Sequence, residues 1–130
     1  MFPRVWNRNA PGPTRHAMPS RGDAIREETV RVRIIYGKLR PRAWDDYEAA
    51  YRSVMAVHGQ ASGLRARWLT RDVDDPDAGY SISLWEDEAS MRAYESSALL
   101  HQTILPKLTP FFSGQYETTH CEMRFFESFA

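Results

Sequence analysis

Cysteine is almost missing from this 130-residue chain. Cys121 is the only one, which excludes an intrachain disulfide and any cysteine-based zinc site. Lysine is scarce as well: of 17 basic residues only Lys38 and Lys107 are lysines, a bias of composition and not a sign of special guanidinium chemistry. Net charge is absent, with Lys+Arg 17 against Asp+Glu 17, so the chain lacks the basic footprint that nucleic-acid binding needs. No apolar run approaches the ~18 residues of a membrane span. There is no glycine-rich phosphate loop, no histidine pair at metal spacing and no nucleophile elbow. Asp72, Asp74, Asp75 and Asp77 invite a calcium reading, but Pro76 and Ala78 stand where a ligand and a glycine are required, so a solvated turn is expected there and no metal.

What remains is the composition of a soluble globular domain, 42% hydrophobic and 26% charged. A chain of this length can bury about two thirds of its unfolded surface, enough to fold without a staple. A small cytoplasmic protein is the expectation. Charge is unevenly placed: residues 1–22 carry Arg4, Arg8, Arg15 and Arg21 with no acid, about +4 against about −4 for the rest. That segment also holds Pro3, Pro11, Pro13 and Pro19, and it lacks the apolar stretch of a secretory signal. Residues 1–28 are expected to be a disordered Arg/Pro-rich arm, with a start at Met18 as an alternative, and residues 29–130 to be the domain.

From Thr29 the pattern becomes periodic. Val30, Val32, Ile34 and Tyr36 alternate as in a half-buried strand that Gly37 ends. Trp44, Tyr47, Tyr51, Val54, Met55 and His58 recur at helical spacing over 42–58. Residues 64–71 read as a second strand and 80–85 as a third, joined by a turn-rich loop. Asp87 is a candidate N-cap for a helix bearing Met91, Tyr94 and Ala98. Ser96 and Ser97 loosen or break it, and a second helical piece follows with Leu100, Ile104, Leu108 and Phe111, kinked by Pro106 and stopped by Pro110. The last strand is expected over 115–127.

This order predicts an α+β, ferredoxin-like βαββαβ fold: four antiparallel strands with helices on one face. Neither face of the third strand is fully polar, since Tyr80, Ile82 and Leu84 alternate with Ser81, Ser83 and Trp85. The uncovered sheet face therefore calls for an apolar partner, most simply a second copy in a two-fold homodimer.

The element order, the strand ending Leu84-Trp85-Glu86-Asp87-Glu88, and a helix running through Met91, Tyr94, Ser97 and His101 resemble the antibiotic biosynthesis monooxygenase domain of the dimeric α/β-barrel superfamily. The resemblance covers residues 29–127. It implies facing sheets in a dimeric α/β barrel and, in each subunit, a pocket between sheet and helices. It also implies, for some members, oxidation of polycyclic phenols or quinols by molecular oxygen without metal or flavin. The haem-degrading branch needs an Asn on the first strand and a haem-ligating His late in the second helix. Here Asn occurs only at Asn7 and Asn9, and Ile104 stands near the ligand position, so no cofactor is expected. In the polyketide-tailoring branch an Asn-like residue and a Tyr accompany the pocket Trp, where this chain has Ser81 and Met91.

On that resemblance the expected catalytic residues are Trp85, Tyr94 and His101. Trp85 either stacks on a planar substrate or fills the core. Tyr94 and His101, seven apart, share a face if the helix is continuous, and histidine is the side-chain type whose ordinary range suits a phenol oxidation; a half-exposed helical histidine is the plainer reading. Tyr36, Tyr47, Trp68, Ser83 and Met91 are the expected substrate contacts, although aromatics at such spacing also serve as core. His120 and Cys121 are adjacent and face opposite sides of a strand, so they form no catalytic pair. A monooxygenase acting on a small aromatic or quinol-like molecule is thus expected. The alternatives are a non-catalytic dimeric barrel that binds a hydrophobic ligand or a protein partner, and an isomerase- or decarboxylase-like relative. Neither nucleic acid nor membrane is an expected partner.

Overall fold

The computed structural model describes residues 27–130. A 3-10 turn at Glu27–Thr29 leads into β1 (Arg31–Lys38), α1 (Trp44–His58), β2 (Leu64–Arg71), β3 (Ala78–Trp85) and α2 (Glu88–Glu95). A π-helical segment (Leu99–Ile104), α3 (Leu105–Leu108), a 3-10 turn (Thr109–Phe111) and β4 (Glu117–Glu122) follow. The strands lie in the order β2-β3-β1-β4 and every neighbouring pair is antiparallel. This is the α+β, ferredoxin-like arrangement that the element order predicts. Most of the segment expected to be an arm, residues 1–26, lies outside the described residues; Thr29, at its border, donates its hydroxyl to the Glu86 carbonyl at 2.9 Å.

Local chemistry explains the boundaries. Asp87 caps α2, its carboxylate accepting from the Ser90 N–H at 2.8 Å. Asp45 and Asp46 sit in the first turn of α1, where the helix dipole favours them. Gly63 precedes β2 with φ +83°, and a Cβ there would lie 2.3 Å from Ser90 Oγ, so only glycine fits. Pro41 falls in the turn before α1, three residues short of Trp44, the first helical residue.

Two strands differ from expectation. Gly37 does not end β1 but lies inside it, covered by the Phe112 ring, and Leu39 beyond it bridges to Phe112. β4 stops at Glu122 instead of running to 127, because Phe126 turns back to pack with Val30 and Leu84.

The register assigns the two sheet faces. Arg33, Gly37, Arg67, Leu69, Arg71, Gly79, Ser81, Ser83 and Trp85 point toward the helices. The main core lies there, built from Trp44, Tyr47, Tyr51, Val54, Trp85, Met91, Tyr94, Leu100, Ile104 and Leu108. Val32, Ile34, Tyr36, Ala66, Trp68, Tyr80, Ile82 and Leu84 occupy the other face. Among the described residues only one end of that face is covered, by Val30, Met123 and Phe126. Among the described residues no helix is long and apolar enough to cross a membrane.

Candidate functional site

Beyond the row that carries Trp85, three more rows of residues cross the helix-facing side of the sheet. One reads His120–Arg33–Ser83–Arg67, the next Thr118–Ile35–Ser81–Leu69, and the third ends at Gly37–Gly79–Arg71. The helices lie over these rows in two compartments with different packing.

Under α2 the packing is solid. Trp85 and Met91 have no exposed surface, and the Trp85 and Tyr94 rings meet with centroids 5.1 Å apart and planes tilted by 37°. The Trp85 indole Nε1 donates to Ser83 Oγ at 2.9 Å. Four of the expected site residues, Trp85, Tyr94, Ser83 and Met91, are therefore brought together, but they fill space and line neither cavity described below.

Beside them Arg33, only 7% exposed, donates through Nε to Glu95 Oε2 at 2.7 Å, and its guanidinium lies 5.8 Å from the Tyr94 ring centroid. His120 Nε2 reaches the same carboxylate oxygen at 2.6 Å. Burial alone would raise the Glu95 pKa; the hydrogen bonds from His120 and Arg33 outweigh it and hold the carboxyl below its ordinary range.

Under α1 there is room. A cleft of about 280 Å³ opens between this helix and the edge strand β2, lined by Trp44, Glu48, Tyr51, Arg52, Leu69 and Arg71. That is close to the lower limit of about 300 Å³ for small-molecule sites. Beneath it, Tyr47, Leu69, Gly79, Ser81 and Phe112 border a void of about 10 Å³, space for one water at most.

Gly79 makes the cleft wall. A Cβ there would stand 2.4 Å from Trp44 Cη2 and 2.3 Å from the Thr70 carbonyl oxygen, so its absence lets the indole lie directly on β3. At the floor the Tyr51 hydroxyl and Ser81 Oγ share a hydrogen bond of 2.8 Å. Burial raises the Tyr51 pKa, more than the Ser81 bond and the nearby Arg67 lower it, so this phenol stays protonated at neutral pH and can donate but not act as a base. At the rim Arg52 pairs with Glu48 at 2.9 Å along the helix. Arg71 donates through Nε to the Pro76 carbonyl at 2.9 Å and sets its guanidinium 5.6 Å from the Trp44 ring centroid.

The remaining expected residues lie elsewhere. His101 does not join Tyr94. The helix ends after Glu95, Ser97 Oγ accepts from the Leu100 N–H at 3.2 Å, and the π-helical turn breaks the seven-residue spacing. His101 is exposed, with Nε2 at 2.6 Å from the Glu95 carbonyl oxygen. Tyr36 and Trp68 stand on the opposite side of the sheet from Trp85, so they share no cavity with it in this chain. Tyr36 packs on Tyr80 with centroids 5.4 Å apart, and Trp68 packs against the cluster of Leu84 and Phe126. Tyr47 is buried against the small void, not the cleft. His120 and Cys121 do face opposite sides. Among the described residues no three His, Cys, Asp or Glu side chains come together as a metal site.

Sequence reading missed Trp44, Tyr51 and Arg71 as cleft residues. The signal was present in the aromatic stripe of α1 with Glu48 and Arg52 beside it, but that stripe looks the same whether it meets a closed core or a cleft.

The family model for antibiotic biosynthesis monooxygenases matches residues 31–104. Solved structures agree in fold. A conserved protein from Methanosarcina mazei superposes with TM-score 0.66 at 13% identity, over 75% of this chain and 96% of that one. A proposed antibiotic biosynthesis monooxygenase from Bordetella bronchiseptica gives 0.66 at 18% identity, over 75% and 99%. SnoaB, a cofactor-independent oxygenase from Streptomyces nogalater, gives 0.61 at 15% identity, over 75% and 96%. No curated protein matches the sequence. Because the family model spans more than half its length, the chain belongs to the antibiotic biosynthesis monooxygenase family.

Proposed function

We propose that this protein is a cofactor-independent monooxygenase that admits a flat phenol or quinol to the cleft between α1 and β2. The observation that carries the reading is the cleft itself: an indole wall, an apolar floor at Leu69, a hydroxyl donor at Tyr51 and guanidinium groups at the rim. Family membership and the likeness to SnoaB support it. The reaction is a phenol plus O2 giving a quinone plus water. One oxygen atom enters the ring carbon para to the hydroxyl, the other leaves as water with the two displaced protons, and the four electrons that reduce O2 come from the substrate.

This chain's part is to make the substrate electron-rich and to hold it dry. A cationic rim favours the phenolate, the form that gives electrons to oxygen most readily. Glu48 is the carboxylate at the cleft able to take the proton. Tyr51 donates to the oxyanion. The open sheet face, apolar over Ile34, Tyr36 and Ile82, pairs with a second copy in this reading.

Oxygen uptake with a panel of polycyclic phenols, after treatment with a chelator, tests the proposal. One O2 consumed per quinone, with one atom of isotopic label in the product, is expected. Tyr51→Phe should lower the rate at least tenfold, as loss of an oxyanion donor does. No uptake across the panel defeats the oxygenase reading. One feature favours a ligand-binding barrel without turnover: His101, the expected proton-transfer residue, lies outside the cleft. Saturable binding with no oxygen uptake selects that alternative.

A further inference from the structure

We infer that the cleft selects aromatic ligands bearing a carboxylate, and that Arg71 is the residue that reads it. The inference rests on the cleft being the substrate site, not on oxygen chemistry. Arg71 lies at the cleft edge with its guanidinium over Trp44. Its Nε is used by the Pro76 carbonyl, which fixes the plane of the group. Among the described residues Arg71 has no carboxylate partner, whereas Arg52, across the cleft, is already paired with Glu48. The outer edge of a guanidinium carries two parallel N–H donors that match the two oxygens of a carboxylate.

Charge counting points to the same ligand. Two guanidinium groups and one carboxylate leave the cleft with a single uncompensated positive charge. A monoanion neutralises it, while a phosphate monoester would bring up to two negative charges. The remaining lining is aromatic and aliphatic at Trp44 and Leu69, so the anionic group is expected to project from a ring system that rests on those two side chains. The 280 Å³ of space suits about two fused rings, at the small end of ligand sites.

The test uses 2-naphthoate and its neutral counterpart 2-naphthalenemethanol, titrated against the full chain under nitrogen by calorimetry. Naphthoate should bind at one per chain and about tenfold more tightly than the alcohol, the range for one charge-assisted contact at a wet rim. That preference should shrink as sodium chloride is raised from about 0.05 to about 0.5 M. Arg71→Gln should abolish the preference and leave alcohol binding unchanged; Arg71→Lys should keep part of it. Arg42→Gln, a change outside the cleft lining, should do nothing. Equal affinity for the two probes, an Arg71→Gln protein that still prefers naphthoate, or no saturable binding of either probe overturns the inference. Because no oxygen is present, a wild-type preference lost in Arg71→Gln stands even if no phenol is ever oxidised, in which case only the oxygenase reading falls.

Discussion

Ser83 Oγ accepts a hydrogen bond from Trp85 Nε1 at 2.9 Å, across two residues on one face of β3. The only polar atom of the indole is thereby satisfied inside the protein, and its rings are enclosed by Tyr94 and Met91. A tryptophan so placed stabilises the fold and has no surface left for a ligand. Trp85→Ala should cost about 3–5 kcal/mol, the usual range for emptying a large buried aromatic site. Trp85→Phe should cost less, since it keeps a ring against Tyr94. Urea midpoints of the two variants check this. A loss under about 1 kcal/mol for the alanine variant would mean that the site collapses or that Trp85 is not packed as described.

The open sheet face bears on assembly. Ile34 sits on an interior strand, in register with Ile82 and Thr119, and among the described residues no second layer lies over it. If two such faces pair, light scattering at micromolar concentration should give twice the 15.0 kDa chain mass. Ile34→Glu should return the mass to 15.0 kDa by placing a charge in the middle of the contact. A wild-type protein that scatters as a single chain rejects the pairing outright.

The expectations that survived rest on local chemistry. β2 runs over 64–71, as read from the turn signals around it, α1 ends at His58, and Asp87 caps α2. What escaped depends on register or on tertiary contact. Tyr36 lies on the face opposite Trp85 because Arg31, five residues before it, is the partner of Trp85 across the ladder. An odd offset reverses the face, and no reading of one strand alone supplies the offset. The Tyr94 and His101 spacing fails because the chain inserts a π-helical turn after Ser96 and Ser97. The cleft was invisible for a third reason. Trp44, Tyr47 and Tyr51 are all at most 7% exposed, so their stripe reads as core. Space appears beside them only because Leu69 and Arg71 lie on the sheet's edge strand.

Alkaline stability should report the same aromatic stripe. Burial raises the pKa of Tyr47 and of Tyr51 above the ordinary value of 10.0. A group whose pKa is raised in the folded state binds its proton more tightly there, so its stabilising effect is complete below pH 10 and is lost as pH rises toward the folded value. Unfolding free energy should therefore fall above about pH 10. Tyr47→Phe should remove part of that slope, whatever it does to stability at neutral pH. Denaturant titrations at several alkaline pH values decide it, and an unchanged slope in the variant would show that other groups control the decline.

Glu95 governs the acid side. Its carboxylate joins α2 to β1 through Arg33 and to β4 through His120, with Arg92 on its own helix 3.4 Å away. Its pKa is held below the ordinary 4.5. A lowered carboxyl contributes stability that is present above the unfolded value and disappears as pH falls through the folded one. Stability should decline below about pH 4.5. Glu95→Gln should flatten that portion of the curve and cost about 1–3 kcal/mol at neutral pH, since Arg33 keeps a buried charge with a weaker acceptor. A variant with the wild-type acid profile would place the acid transition in another carboxylate.

Gly79 gives the sharpest test of the cleft's construction. Alanine at this position would put its Cβ 2.4 Å from Trp44 Cη2 and 2.3 Å from the Thr70 carbonyl oxygen. Contacts that short cannot persist, so either the indole lifts off β3 or β2 moves away. Overpacking of this kind costs about 1–3 kcal/mol. Gly114→Ala is the matched control, because nothing lies within 4 Å of its would-be Cβ and such a surface change stays within about 0.5 kcal/mol. Both consequences of Gly79→Ala can be read on one sample: a lower urea midpoint, and weaker binding of a flat aromatic probe, because the wall that Trp44 forms has moved. The two effects separate the cleft from the core. Trp85→Ala should reduce stability strongly and, if the fold persists, leave probe affinity near wild type, whereas Gly79→Ala should reduce affinity out of proportion to its stability cost. If the two glycine variants prove equally benign in both measurements, Trp44 is not seated on β3, and the cleft between α1 and β2 loses its wall.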